Sequence, residues 1–354
     1  MRTKYRSTTW RAAGESPAGQ ARSVRRQLSP DARSSNGMRS FTLLAGLMIA
    51  TSPAATQIRN TIVDSVSVIT SDIANFWQAY DRLAGAETRA DSVRAVIEEY
   101  FQPASRGLAE YLRIRLKRPE NILDALRMAP RYYAAVRGNT LRLNEEGAVI
   151  RKGFLKFQAL YPTAKFPDVY FLVVGFISQG VSTDNGLYIG AEMVAADAAT
   201  PLDELPGALR IVDLTAHVVP CIVMHELVHY QQHYPAGQSL LKQALIEGVA
   251  DFLAIQSVGC TGTADAVYAF GESHEEQLWA EFRTTMDGTE FGKWFYNGDR
   301  STDRPANLGY WMGYKIAAAY YGRSSNKQQA VDELLHIRDF HDVLLRSGYQ
   351  GGSH

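Results

Sequence analysis

Apolar side chains return every three or four positions from residue 60 to about 137. Ile73, Phe76, Trp77, Tyr80 and Leu83 keep this spacing, as do Val93, Val96, Ile97 and Tyr100. A repeat near 3.6 predicts helices with one face turned to a core. Pro103, Pro119 and Pro130 punctuate the run, so several short helices are expected rather than one long one. Residues 147–160 read as a further helix, stopped by Pro162.

The pattern changes at residue 168. Residues 168–177 (DVYFLVVGFI) are β-branched or aromatic almost throughout, which predicts a strand buried on both faces. Residues 179–186 read as a polar, glycine-containing loop and 187–194 as a second, half-exposed strand. Helical spacing then resumes over 219–233, 239–255, 274–286, 308–321 and 328–335. Strands in the middle with helices around them predict an α+β fold, mostly helical with a small central sheet.

Charge alters the picture at the N-terminus. Residues 1–54 hold nine basic and two acidic groups, a net of +7, while the remaining 300 hold 28 and 35, a net of −7. Met38-Arg39-Ser40, the apolar run 41–50 and the small residues behind it have the layout of a secretory signal. The run is too short for a membrane span, which takes about 20 apolar residues. The bland alternative is a disordered tail before a buried helix. Residues 1–56 are thus expected to be a leader and 57–350 a single exported domain, periplasmic or secreted, without a transmembrane span. No cysteine follows the apolar run, so no lipid anchor is expected there. The acidic body argues against nucleic acid as a partner, since a phosphate-binding surface needs clustered basic groups. Cys221 and Cys260 are the two cysteines, and two separate buried thiols are expected at least as readily as a disulfide.

The chemistry concentrates in Pro220-Cys221-Ile222-Val223-Met224-His225-Glu226-Leu227-Val228-His229. His225 and His229 stand four apart, so on a helix both imidazoles leave one face and can grip one ion. Glu226 is turned aside by about a quarter-turn, the position of a base for water beside that ion. Ile222, Val223, Leu227 and Val228 cover the opposite side. Seventeen residues (230–246) separate His229 from Glu247, and a helix–loop–helix of that length can return Glu247 as third ligand. Asp251, one turn further, can accept the outer N–H of a ligating histidine. Gly248 is costly inside a helix, and close approach of the two helices near the metal would account for it.

HELVH followed by EGVAD resembles the gluzincin metallopeptidases, whose third ligand is a glutamate on a later helix. More closely, HELVHYQQ, IEGVADFL and RPANLGYWMGYKIAAAYY resemble a bacterial family of predicted zinc-dependent proteases related to gliding-motility lipoproteins. The resemblance implies a zincin fold, Zn2+ as cofactor and a peptide or protein substrate.

Weaker signals surround this core. The strand at 187–194, with Gly186 and Gly190, is a candidate edge for an extended substrate or an ordinary edge strand. Tyr310 is the first candidate for an oxyanion donor, with Tyr314 and His274 behind it; helix packing is the ordinary role for such aromatics. His217 and His233 drift around the helix away from His225 and His229. The expected function is a zinc-dependent peptidase with Glu226 as base and then acid. The alternatives are a non-catalytic metal-bearing binding or assembly protein of the cell envelope, a helical structural protein with a chance motif, and a hydrolase of non-peptide bonds.

Overall fold

The computed structural model describes residues 61–352, apart from 211 and 299–302. The expected leader, 1–56, lies outside the described residues. The first half contributes helices α1 (Ser71–Arg82), α2 (Arg89–Val96), α3 (Arg106–Tyr111), α4 (Glu120–Met128), α5 (Pro130–Thr140) and α6 (Gly147–Leu160). The prolines sit where their missing N–H costs nothing: Pro119 precedes α4 and Pro130 opens α5. Thr88 and Asp91 close a reciprocal capping box at the start of α2. The repeating apolar faces meet in an aromatic cluster of Phe76, Trp77, Tyr100, Tyr132, Tyr133 and Phe176.

Four short strands form a mixed sheet in the order β1-β2-β4-β3: β1 (Val68–Ile69), β2 (Val169–Leu172), β3 (Gly180–Thr183) and β4 (Gly186–Gly190). β2 is parallel to both β1 and β4, and β3 is antiparallel to β4. β2 is buried along its whole length, as its composition predicts, but it ends at Leu172 and residues 173–177 are not strand.

The sheet and its flanks correct three expectations. The polar stretch 179–186 is not a loop: it forms β3 and the Asp184-Asn185 turn of a tight hairpin, with Thr183 paired to Gly186. β4 is not half-exposed and not an edge, because β2 and β3 flank it and all five of its residues are buried. Its Tyr188 hydroxyl meets Glu110 at 3.0 Å on the α3 side. On the other face a side chain added at Gly180, opposite Ile189, would collide with Glu226 and Ile222. The edge next to the candidate site is therefore β3. Residues 191–194, expected to continue the strand, form a 3-10 turn. There the buried Glu192 carboxylate accepts the N–H groups of Val174 and Phe176, each at 3.0 Å. Those bonds fold back the β2–β3 connection, where Gly175 and Phe176 have positive φ. Burial pushes the pKa of Glu192 up, the backbone donors pulling it back.

The second half adds α7 (Gly207–Arg210), α8 (Val219–Gln231), α9 (Leu240–Val258), α10 (Asp265–Ser273), α11 (Glu275–Thr285), α12 (Leu308–Arg323), α13 (Lys327–Leu335) and α14 (Phe340–Ser347). Five of these match expected helices; α7, α10 and α14 are short and were not expected. α8 stops at Gln231 rather than at 233 because Gln232 is extended. It is also not amphipathic in place. Every residue from Cys221 to Val228 is buried, since β3, β4, α6 and α9 all pack around this helix. Among the described residues no helix is long and apolar enough to cross a membrane.

Candidate metal centre

α8 and α9 cross so that three side chains converge. The Nε2 atoms of His225 and His229 are 2.9 Å apart, and Glu247 Oε2 lies 3.4 Å from the first and 3.2 Å from the second. Ligands at about 2.0–2.1 Å from a tetrahedral zinc stand roughly 3.3 Å from one another, so the donor set fits such an ion once the two imidazoles part by about 0.4 Å. Among the described residues, His225, His229 and Glu247 form a group whose ligand atoms all lie within 4.8 Å of one another. Three protein ligands suit a catalytic zinc, because structural sites are closed by four.

The surrounding hydrogen bonds turn each ligand atom inward. His225 Nδ1 donates to Asp251 Oδ1 at 2.8 Å, which leaves Nε2 with its lone pair facing Glu247. The Gln232 amide donates to Ile246 O at 2.8 Å, so its oxygen is the atom 2.8 Å from His229 Nδ1. His229 must then carry its proton on Nδ1, and its Nε2 is free as well. Gln243 Nε2 donates to Glu247 Oε1 at 3.0 Å and leaves Oε2 for the centre. All three ligands are thus held by an outer partner.

The electrostatics match a cation. Burial acts against a charge on His225, but Asp251 and Glu247 overcome it and hold its pKa well above the ordinary value. His229 is raised as well, Glu247 outweighing burial and the neighbouring His225. Glu247 resists burial and falls to about 2 because both histidines favour its charged form. The same negative field favours a divalent ion, which the two Nε2 lone pairs 2.9 Å apart and the Glu247 carboxylate can share.

Glu226 stays outside this set of ligands. It is 2% exposed, and its side chain lies against β3, where a Cβ at Gly180 would be 2.7 Å from Glu226 Cγ and Oε1. Burial raises its pKa above the ordinary carboxylate range, with His229 and His225 pulling it down.

Tyr310 packs its ring on His225, with centroids 6.1 Å apart and planes 27° from parallel. Tyr314 lies one turn further along α12 against Tyr268 and Phe252. His274 is not at the centre: it stacks on Phe270 and binds Ser273 and Phe270 O at the α10–α11 junction. His217 pairs with Asp213 at 2.8 Å, and His233 stacks on His336. Cys221 is not a free thiol, because it is bonded to Cys260. Gln232 and Gln243 escaped the sequence reading. Their signals were faint: Gln243 stands four residues before Glu247 on the same side of α9, and Gln232 lies three residues after His229, just past the end of α8.

The sequence family described as Gliding motility protein GldB matches residues 64–351. No curated protein and no solved structure matches the chain.

Proposed function

The chain belongs to the gliding motility protein GldB family, and from that premise and the convergence of His225, His229 and Glu247 we propose a zinc-dependent peptidase of the cell envelope. The observation that carries the reading is a second buried carboxylate, Glu226, next to His225 on α8, within electrostatic reach of His229, His225 and Glu247 but not one of the three converging groups. His225, His229 and Glu247 would hold the zinc, which would lower the pKa of a water and polarise a carbonyl. Glu226 then takes the proton of the attacking water and passes it to the departing amine, acting as base and acid in turn. Tyr310, packed on His225, is the candidate for stabilising the oxyanion. The fold is read as zincin-like on the same grounds. The family's model carries a lipoprotein designation, which supports an envelope location.

The role of substrate edge passes from β4 to β3. An extended peptide adds to a free edge by main-chain pairing, and β3 places its Gly180 directly against Glu226. Gly180→Val is therefore expected to push Glu226 aside, lowering turnover about ten- to a hundredfold while zinc content stays unchanged. Equal turnover in the variant removes β3 from the site.

The direct test is elemental analysis of protein purified without added metal, joined to cleavage of an unfolded polypeptide with and without chelator. About one zinc per chain and cleavage that chelator abolishes and zinc restores are expected. Glu247→Ala should weaken zinc by about a hundredfold or more, beyond the loss of an outer partner. Cleavage indifferent to chelator sinks the proposal. The family's description favours a second reading, a metal-bearing assembly protein. It differs in one respect: zinc is bound but no polypeptide is cut.

A further inference from the structure

α9 ends at Val258, with Gly259 left-handed at φ 83. The chain then doubles back over α8. Cys260 is bonded to Cys221, which lies one turn before His225. Gly262 sits so close to α8 that a Cβ there would be 2.2 Å from Ile222 Cδ1. On either side of it, the Thr261 hydroxyl donates to Asp251 Oδ1, and Thr263 Oγ1 donates to Asp251 Oδ2 at 2.7 Å. Tyr268 in α10 adds its hydroxyl to Oδ2 at 3.0 Å. Asp251 is fully buried, and among the described residues its side-chain hydrogen-bond partners other than His225 come from the segment that follows the disulfide.

We infer that residues 260–263 form a redox-sensitive brace of the metal centre: the Cys221–Cys260 bond clamps the segment to α8, its threonines aim Asp251, and reduction of the bond loosens the grip on zinc at His225. The inference rests on the metal reading of His225, His229 and Glu247. It assigns Thr261 and Thr263 as positioning residues that act through Asp251.

Of the two cysteines, Cys260 is the more accessible to an incoming thiol. Cys221 is 2% exposed, whereas Cys260 is half-buried at the surface. A thiolate of a dithiol reductant attacks Cys260 Sγ, and the electron pair of the broken bond leaves on Cys221 Sγ, which takes up a proton. The second thiol of the reductant then displaces Cys260, closing the reductant's own disulfide. The chain gains two electrons and two protons. With the clamp open, the contact with Ile222 is left to hold the segment on α8. Thr261 and Thr263 can then withdraw, and Asp251 no longer fixes the tautomer and aim of His225.

The test compares zinc affinity of the full chain, oxidised and after reduction, thiol capping and removal of reductant, by competition with a chromophoric chelator. Reduction is expected to weaken zinc about ten- to a hundredfold, the usual cost of losing an outer partner of a ligating histidine. Cys221→Ala with Cys260→Ala should show the same weakening and no response to reductant. Thr261→Val with Thr263→Val should weaken zinc with the disulfide intact and shift the visible absorption of the cobalt-substituted protein. Thr261→Ser with Thr263→Ser should restore both. Reduced protein that binds zinc as tightly as oxidised protein overturns the brace. Valine variants with wild-type affinity and cobalt spectrum overturn the route through Asp251. Oxidised wild-type chain that binds no zinc sinks the metal centre, and the brace with it.

Discussion

Replacing Glu226 with glutamine is expected to leave zinc bound and to slow peptide hydrolysis by about a thousandfold, within the range lost with a general base. Glutamine keeps the size and shape of the side chain, so the contact with β3 at Gly180 survives. The three ligands and their outer partners are untouched, because Glu226 contributes no atom to that set. What disappears is the ability to accept a proton. Burial lifts the Glu226 carboxyl above its ordinary range, with His229 and His225 opposing it. Initial rates on an unfolded polypeptide, with zinc content measured on the same samples, decide the matter. A variant that retains zinc and turns over like wild type removes Glu226 from the mechanism and favours the assembly reading.

The largest effect on stability is expected from Gly248→Ala. A Cβ at Gly248 would lie 2.0 Å from the carbonyl carbon of Gly313 and 2.1 Å from the Tyr314 nitrogen. The reciprocal contact is as tight, with a Cβ at Gly313 only 1.8 Å from Ala244 O. Both clashes are with backbone, so no rotamer change relieves them and the two helices must part. Overpacking of this kind costs about 3 kcal/mol or more. For a domain of this size, roughly 2–4 °C per kcal/mol lowers the melting temperature by about 6–12 °C. Because Gly248 adjoins Glu247, separation of α9 from α12 should also displace the third ligand and weaken zinc. Gly313→Ala should behave alike. Gly138→Ala in α5, where nothing lies within 4 Å of the new methyl, should be neutral or slightly stabilising. A Gly248→Ala protein that melts like wild type contradicts this packing. The contact also corrects the sequence reading of Gly248, since its close neighbour is α12 and not the helix of His225.

The shared face of His225 and His229 and the turn of Glu226 away from it were legible because they depend on one helix. Positions four apart on a helix share a face whatever surrounds them, and the neighbour of a ligand is turned aside by the same geometry. Glu247 and Asp251 obey that rule on the next helix, so the short distance between the two motifs was enough to suggest their meeting. The helices themselves were legible from apolar spacing, and β2 from its β-branched and aromatic run. The short helices α10 and α14 were not, for they offer only two or three turns of pattern each.

What lay beyond the sequence were the choices made between segments far apart in the chain. Ser182 and Thr183 suit a solvated loop as well as an edge strand, and only their register against β4 made them a strand. Cys221 and Cys260 are 39 residues apart, and it took the return of the chain over α8 to pair them. Gly248 needed a partner glycine 65 positions away, and Asp251 needed two threonines on a turn without regular structure. Local spacing determines which way a side chain leaves its own helix. Which neighbour it then meets is decided by packing, where backbone approach, burial and the need to satisfy each buried polar atom act across the whole chain.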